Sequence, residues 1–208
     1  MKKAMTLTYE TGGNLYLNVT NQCPCACVFC IRKNDDGAYG SDPLWLEHEP
    51  TMEEMKAALA ERDLASYPEI VFCGYGEPTM RLDFICELAE YIRKVCPTAV
   101  IRINTNGLTE LYYPGADGTA AKRVAKAFDE VSISLNGGSS EVYNRVTRPK
   151  GMPENAYDAM LAFAATCKAE GAKVAFTVVD VITPEEIAAA QAKADELGIP
   201  LHVRAYIS

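Results

Sequence analysis

The 208-residue sequence predicts an α/β fold, a partial, open (β/α)6 barrel of parallel strands that is TIM-like but stops short of closure. Three observations lead there. Apolar or β-branched runs recur along the chain, the segments between them have helical spacing, and six such units occur where closure of a parallel barrel takes eight.

In order, the strand runs are "NLYLNVT" (14–20), "EIVFCG" (69–74), "VIRINTN" (100–106), "EVSISLN" (130–136), "KVAFTVVD" (173–180) and "LHVRAYI" (201–207). The helices show at their starts. "PTMEEMKAAL" offers Thr51 as N-cap with Glu54 three residues on, and "LDFICELAEYIRKV" carries Asp83 in its first turn. "TPEEIAAAQAKADELG" opens with Thr183, Pro184 and Glu186 and closes at Gly198. Two further helices cover about 118–128 and 153–170. Strict alternation implies parallel strands with right-handed crossovers, and no linker or composition break divides residues 1–208. A single domain is expected, with its chemistry at the C-terminal ends of the strands.

A chain with 49% hydrophobic residues can bury a core without covalent staples. No segment has the length of a signal h-region or a membrane span, so a soluble cytoplasmic protein with no membrane association is expected. In that compartment thiols stay reduced, and the eight cysteines read as ligands, catalytic groups or small core residues. The net charge of -8 argues against direct nucleic-acid binding, which depends on cations neutralising phosphates.

"CPCACVFC" (23–30) lies just past the first strand run, on the functional rim. Cys23, Cys27 and Cys30 make C-x3-C-x2-C, while Cys73, Cys86, Cys96 and Cys167 are scattered singly. Structural zinc takes four ligands, usually as two pairs, and here Cys25 or His48 would have to complete the set. Three cysteines on a short loop suit a cubane 4Fe–4S cluster in which one iron lacks a protein ligand. Spacing alone leaves both open.

The motif order resembles the radical S-adenosylmethionine (SAM) superfamily: "CPCACVFC" with Phe29 before its last cysteine, then "GYGEPT" (74–79), "NTNG" (104–107) and "SISLN" (132–136) at successive strand ends. "GYGEPTMRLD", "IRINTNG" and "LWLE" are similar to the TatD-linked radical SAM proteins. The resemblance implies that Cys23, Cys27 and Cys30 hold a 4Fe–4S cluster and that Gly74, Tyr75, Gly76 and Glu77 bind the methionine moiety of SAM. It implies Phe29, Asn104, Ser134 and Asn136 as further cofactor contacts, the last standing where many family members carry an acidic residue. Strand alternation agrees, putting Ser132, Ser134 and Asn136 on one face and Arg102, Asn104 and Asn106 together on another strand.

The implied activity is reductive cleavage of SAM to a 5'-deoxyadenosyl radical that takes hydrogen from a small-molecule or protein substrate. The electron would come from an external one-electron reductant of flavodoxin or ferredoxin type. Two other readings stand beside it: an activating enzyme that leaves a radical on a partner protein, and a non-catalytic zinc or iron–sulfur module acting as a redox sensor. No second cysteine grouping marks an auxiliary-cluster domain. Cys25 reads as an exposed loop residue without a ligand role, Cys73 as packed and facing the cofactor pocket, and Cys86, Cys96 and Cys167 as helix packing. The 32–50 loop, with Trp45, is either a lid or a folded surface loop. Asp180, Arg204 and Tyr206 are candidates to meet substrate, whereas Arg145 and Arg148 read as solvated loop charges. The sixth strand is expected to have an open side, capped by the N-terminal "MKKAMTLTYETGG", a second copy or a substrate protein.

Overall fold

The computed structural model describes residues 2–113, 118–151 and 154–206. Residues 153 and 207, at the expected edges of a helix and a strand, lie outside them. Seven strands form one sheet in sequence order. They are β1 (Thr8–Thr11), β2 (Asn14–Leu17), β3 (Ile70–Phe72), β4 (Ile101–Thr105), β5 (Glu130–Ser134), β6 (Lys173–Val179) and β7 (Leu201–Arg204). From β2 to β7 every neighbouring pair is parallel, and β1 pairs antiparallel with β2. The six expected parallel strands are all present.

The helices are α1 (Met52–Ala60), α2 (Leu82–Val95), α3 (Thr119–Ala127), α4 (Ser140–Thr147), α5 (Ala156–Ala169) and α6 (Pro184–Leu197). Two start as their sequences dictate: Thr51 with Glu54, and Thr183 with Glu186, close reciprocal capping boxes. Gly198 ends α6 in the left-handed conformation that glycine adopts without strain. Cys96 sits just past α2 as its C-cap, not within it.

Strand alternation sets the layers. Val131 and Ile133 of β5, and Val174, Phe176 and Val178 of β6, are buried. They form the core with Phe163 of α5 and Ala190 of α6. The opposite face, carrying Arg102, Asn104, Ser132, Ser134 and Thr177, lines the barrel interior.

Two expectations are corrected here. The N-terminal segment does not cover the last strand: β1 lies at the far edge, because Thr8–Thr11 pairs with Asn14–Leu17 across the turn at Gly12 and Gly13. Among the described residues β7 is paired only with β6, so its other edge is open. The stretch read as a loop around Arg145 is α4, capped by Ser139, and Arg145 pairs with Glu186 of α6 at 2.7 Å. Arg148, its C-cap, is exposed in the left-handed region with φ 47°.

Candidate functional site

The cysteine loop runs from the end of β2 to a 3-10 turn at Ile31–Lys33 and is tied down along its length. Glu77 N donates to Gln22 O at 2.7 Å, Lys150 N to Pro24 O at 2.7 Å, Ala26 N to Thr147 O at 3.1 Å and Val28 N to Val146 O at 2.8 Å. The end of α4 and the segment after β3 therefore clamp it from two sides. Arg32 adds a third tie, its guanidinium donating to the carbonyls of Asn21, Cys25 and Tyr75 at 3.3–3.5 Å while lying 5.7 Å from the Trp45 ring centre. Lys33 donates to the Ala26 and Cys27 carbonyls.

Cys23, Cys27 and Cys30 share this loop and are each half-buried. Cys25 differs from expectation: it is buried, because its backbone bridges to Pro149 and draws the side chain inward. Its thiol hydrogen-bonds to Cys23 and Cys27, which holds their thiols low and pushes its own up. Burial pushes the Cys30 thiol up, opposed by the nearby Arg32. Among the described residues no three His, Cys, Asp or Glu side chains converge as a single-ion site. His48, the alternative zinc ligand, pairs with Glu54 at 2.9 Å.

The glycines after β3 serve close backbone approach. A Cβ on Gly74 would lie 2.0 Å from Asn18 Oδ1, and one on Gly76 would lie 2.4 Å from Thr20 O and 2.7 Å from Gln22 O. The chain's own loop fills that space. Gly76→Ala is therefore expected to displace the cysteine loop at a cost of about 1–3 kcal/mol. Denaturant unfolding of the variant, together with its iron content after reconstitution, checks this.

Between them Tyr75 is buried against the 32–50 loop. Its hydroxyl donates to Asp35 O and Gly37 O at 2.8 and 2.7 Å, and its ring meets Trp45 edge-on at 5.3 Å. Leu44 and Leu46 of the same 32–50 loop are fully buried, so this loop is packed structure, held to the segment after β3 rather than hinged over it. Trp45 packs on Tyr75 and Arg32.

Glu77 is buried, and its carboxylate accepts four hydrogen bonds. One oxygen takes Thr79 N, Thr79 Oγ1 and Thr105 Oγ1 at 3.1, 2.8 and 2.7 Å, and the other takes Asn106 N at 2.7 Å. Its side chain thus braces the end of β3 against the end of β4. The segment's contribution to a ligand is left to its backbone.

Phe29, Cys30, Ser134, Asn136, Thr177 and Arg204 line one cleft of about 230 Å³. Asn136 reaches it by an unusual backbone: φ is 51°, and its N–H donates to Thr177 O at 3.2 Å. Asn104 is not among these cleft residues. It accepts from Arg102 at 2.6 Å, and Arg102 is itself paired with Glu69, which keeps the amide at the barrel wall. Burial pushes the Cys73 thiol up, opposed by the Asn104 side chain on the same inward face. Arg204 stands opposite Val179 at the mouth, while Asp180 accepts from Tyr206 N.

The Radical SAM superfamily model matches residues 17–199. The chain belongs to the radical SAM superfamily. The comparison with curated proteins finds no match. Among solved structures, the chain is similar to SuiB of Streptococcus suis bound to the precursor peptide SuiA, at TM-score 0.67 and 17% identity over 92% of this chain and 39% of that one. It is also similar to anSMEcpe with bound AdoMet and Cp18Cys peptide (TM-score 0.67, 18% identity, 92% and 50% covered). A third, HydG, a maturase of the FeFe-hydrogenase, gives 0.65, 16%, 92% and 42%. The chain spans half or less of the length of these proteins, and the likeness is one of fold.

Radical SAM proteins are enzymes that use a 4Fe–4S cluster, SAM and a reductant, so a cluster and SAM are the cofactors here. The described residues fit both. Three half-buried cysteines lie on one clamped loop, and the loop's Phe29 and Cys30 share a cleft with polar groups of β5. Beside Gly74, Asn18 Oδ1 is buried with no donor, an acceptor suited to a cationic group. Sequence reasoning missed Asn18 and Arg32, which lie outside the quoted motifs, and the Thr79–Thr105 brace, whose two threonines lie within "GYGEPT" and "NTNG" but meet at Glu77 only in the fold. Inward alternation past β2 was the one signal for Asn18.

Proposed function

We propose that the chain is a radical SAM enzyme that cleaves SAM reductively and abstracts hydrogen from a polypeptide substrate at the open barrel mouth. The observation that carries this reading is the single cleft shared by Phe29 and Cys30 of the cysteine loop, by Ser134 of β5 and by Asn136 just after it. When bound and reduced, the two cofactors supply a 5'-deoxyadenosyl radical. The chain's own residues hold and orient. Cys23, Cys27 and Cys30 are the cluster thiolates, leaving one iron for SAM. Carbonyls of the Gly74–Glu77 segment, with Asn18 Oδ1, accept from the SAM ammonium. Ser134 and Asn136 hydrogen-bond the ribose, and Phe29 packs against the adenosine moiety. Asn104 reaches the cofactor if Arg102 releases it.

A polypeptide substrate is favoured by the peptides named with SuiB and anSMEcpe. A partner protein that keeps the radical is the variant of this reading, and a small molecule held near Arg204 the alternative. The electron donor is of flavodoxin or ferredoxin type. Arg32 and Lys33 flank a cleft of about 570 Å³ beside Cys23, a local positive face on an acidic chain where an acidic carrier could approach. Membership of the TatD-linked group is part of this reading, supported by the likeness of "GYGEPTMRLD", "IRINTNG" and "LWLE" to those proteins. Its reduced thiols suit the cytoplasm, and no described helix is long and apolar enough to cross a membrane. Anaerobic incubation with SAM, a reductant and deuterium-labelled cell peptides tests the reading. Deuterium in 5'-deoxyadenosine supports it. Label arriving only from small metabolites overturns the polypeptide assignment.

A further inference from the structure

Among the described strands two arginines face the barrel interior, and they differ in their partners. On β4, Arg102 is paired with Glu69 at 2.9 Å. On β7, Arg204 stands level with Val179 of β6, as His202 stands level with Thr177, which is itself level with Ser134 of β5. Level partners in a parallel pair share a face, so Arg204 projects to the polar side that carries Thr177 and Ser134. No carboxylate among the described residues is paired with its guanidinium. Asp180, whose N–H donates to Arg204 O at 3.0 Å, gives its own carboxylate to Tyr206 N.

The position of Arg204 makes this matter. It lines the cleft of about 230 Å³ that Phe29 and Cys30 enter from the cysteine loop, and among the described residues no other Asp, Glu, Lys or Arg lines that cleft. Tyr39 and Tyr206 line it too and stay 54% and 42% exposed, rings open at the rim of a polar cleft for a ligand to cover. A solvated guanidinium needs no counter-ion. A ligand that fills the mouth strips its water, and a cation left without an anion in a desolvated site is heavily penalised. The cleft has no acid to offset it, so the ligand must bring the charge. On the reading proposed above, SAM is taken up at the open iron and the segment after β3, and the anion falls to the substrate.

We propose that Arg204 is a specificity-determining residue that binds a carboxylate of the substrate, so that the substrate is an acidic polypeptide, a carboxylic metabolite being the other source of the same group. This rests on the radical SAM reading. The two oxygens and single charge of a carboxylate match one guanidinium fork, whereas a phosphate dianion would find no second cation in the cleft.

The test uses the anaerobically reconstituted full chain with SAM, a reductant and a deuterium-labelled cell extract split into peptides and small metabolites. Each fraction is given as it is and after carbodiimide coupling to ammonia, which turns carboxylates into neutral amides. In the wild type, amidation is expected to lower deuterium transfer into 5'-deoxyadenosine from the peptides at least about tenfold. Arg204→Gln should lower transfer from native peptides by a similar factor and respond little to amidation, and Arg204→Lys, which keeps the charge without the fork, should fall between. SAM binding by Arg204→Gln, measured by equilibrium dialysis, should match the wild type. Equal transfer from native and amidated fractions in the wild type, or undiminished transfer in Arg204→Gln, overturns the proposal. Loss of SAM binding in Arg204→Gln overturns it too, since the guanidinium would then serve the cofactor. If native metabolites alone donate and amidation silences them, the carboxylate stands and the polypeptide assignment falls. A wild-type chain that forms no 5'-deoxyadenosine fails the radical SAM reading itself, and the proposal with it.

Discussion

Cys27→Ala is expected to leave the reconstituted chain without a 4Fe–4S absorption spectrum and to bring 5'-deoxyadenosine formation down to that of a protein-free control. Cys27 sits at the centre of the C-x3-C-x2-C loop, and with it gone two thiolates remain for a cluster that needs three from the protein. Nothing nearby substitutes without rearrangement. Cys25 is turned inward by its bridge to Pro149, and Cys73 is committed to the barrel wall at Asn104. Cys86→Ala, on α2, should keep both signals at wild-type level. Iron and sulfide content per chain, read beside product formation, checks the pair of variants.

Glu77→Ala should produce the largest loss of stability among single changes at the site. It leaves two backbone N–H groups and two hydroxyls without their acceptor in a buried position, a cost of about 3–5 kcal/mol. Thermal unfolding should then fall by about 10 °C for a chain of this size. The cysteine loop is affected too, because Glu77 N holds Gln22 O. Glu77→Gln separates charge from shape. Burial pushes the Glu77 carboxyl above its ordinary value, against the opposing hydrogen bonds from Asn106, Thr105 and Thr79. Between the unfolded pKa and the raised folded one the native state binds more protons. Stability from this group is thus complete below the unfolded value and is lost as pH rises through the folded one. Denaturant unfolding across that window should show a falling slope in the wild type that Glu77→Gln lacks.

The parallel strands were legible because their runs are β-branched and evenly spaced, and two helices because Thr51/Glu54 and Thr183/Glu186 are local capping devices. The strand at Thr8–Thr11 was not, since "TYET" carries no apolar alternation and is a strand only through its hairpin with β2. Helix α4 was hidden by its eight-residue length, although Tyr143, Val146 and Thr147 do repeat on one buried side. At the site, the sequence brought the cysteine loop, the segment after β3 and the polar face of β5 to one rim. It did not separate Asn104, drawn aside by Arg102 and Glu69, from Ser134 and Asn136 in the cleft. Nor did it reveal what the glycines meet: Gly76 faces the carbonyls of Thr20 and Gln22, contacts between residues distant in the chain. Burial of Cys25 is of the same kind, set by Pro149 and Asn106.

The most direct measurement is 5'-deoxyadenosine formation by the anaerobically reconstituted, chemically reduced chain given SAM. The account predicts product that depends on the cluster, on the reductant and on Cys23, Cys27 and Cys30 together. A chain that binds a full 4Fe–4S cluster, is reduced, and yields no 5'-deoxyadenosine above the control lacking SAM would contradict it.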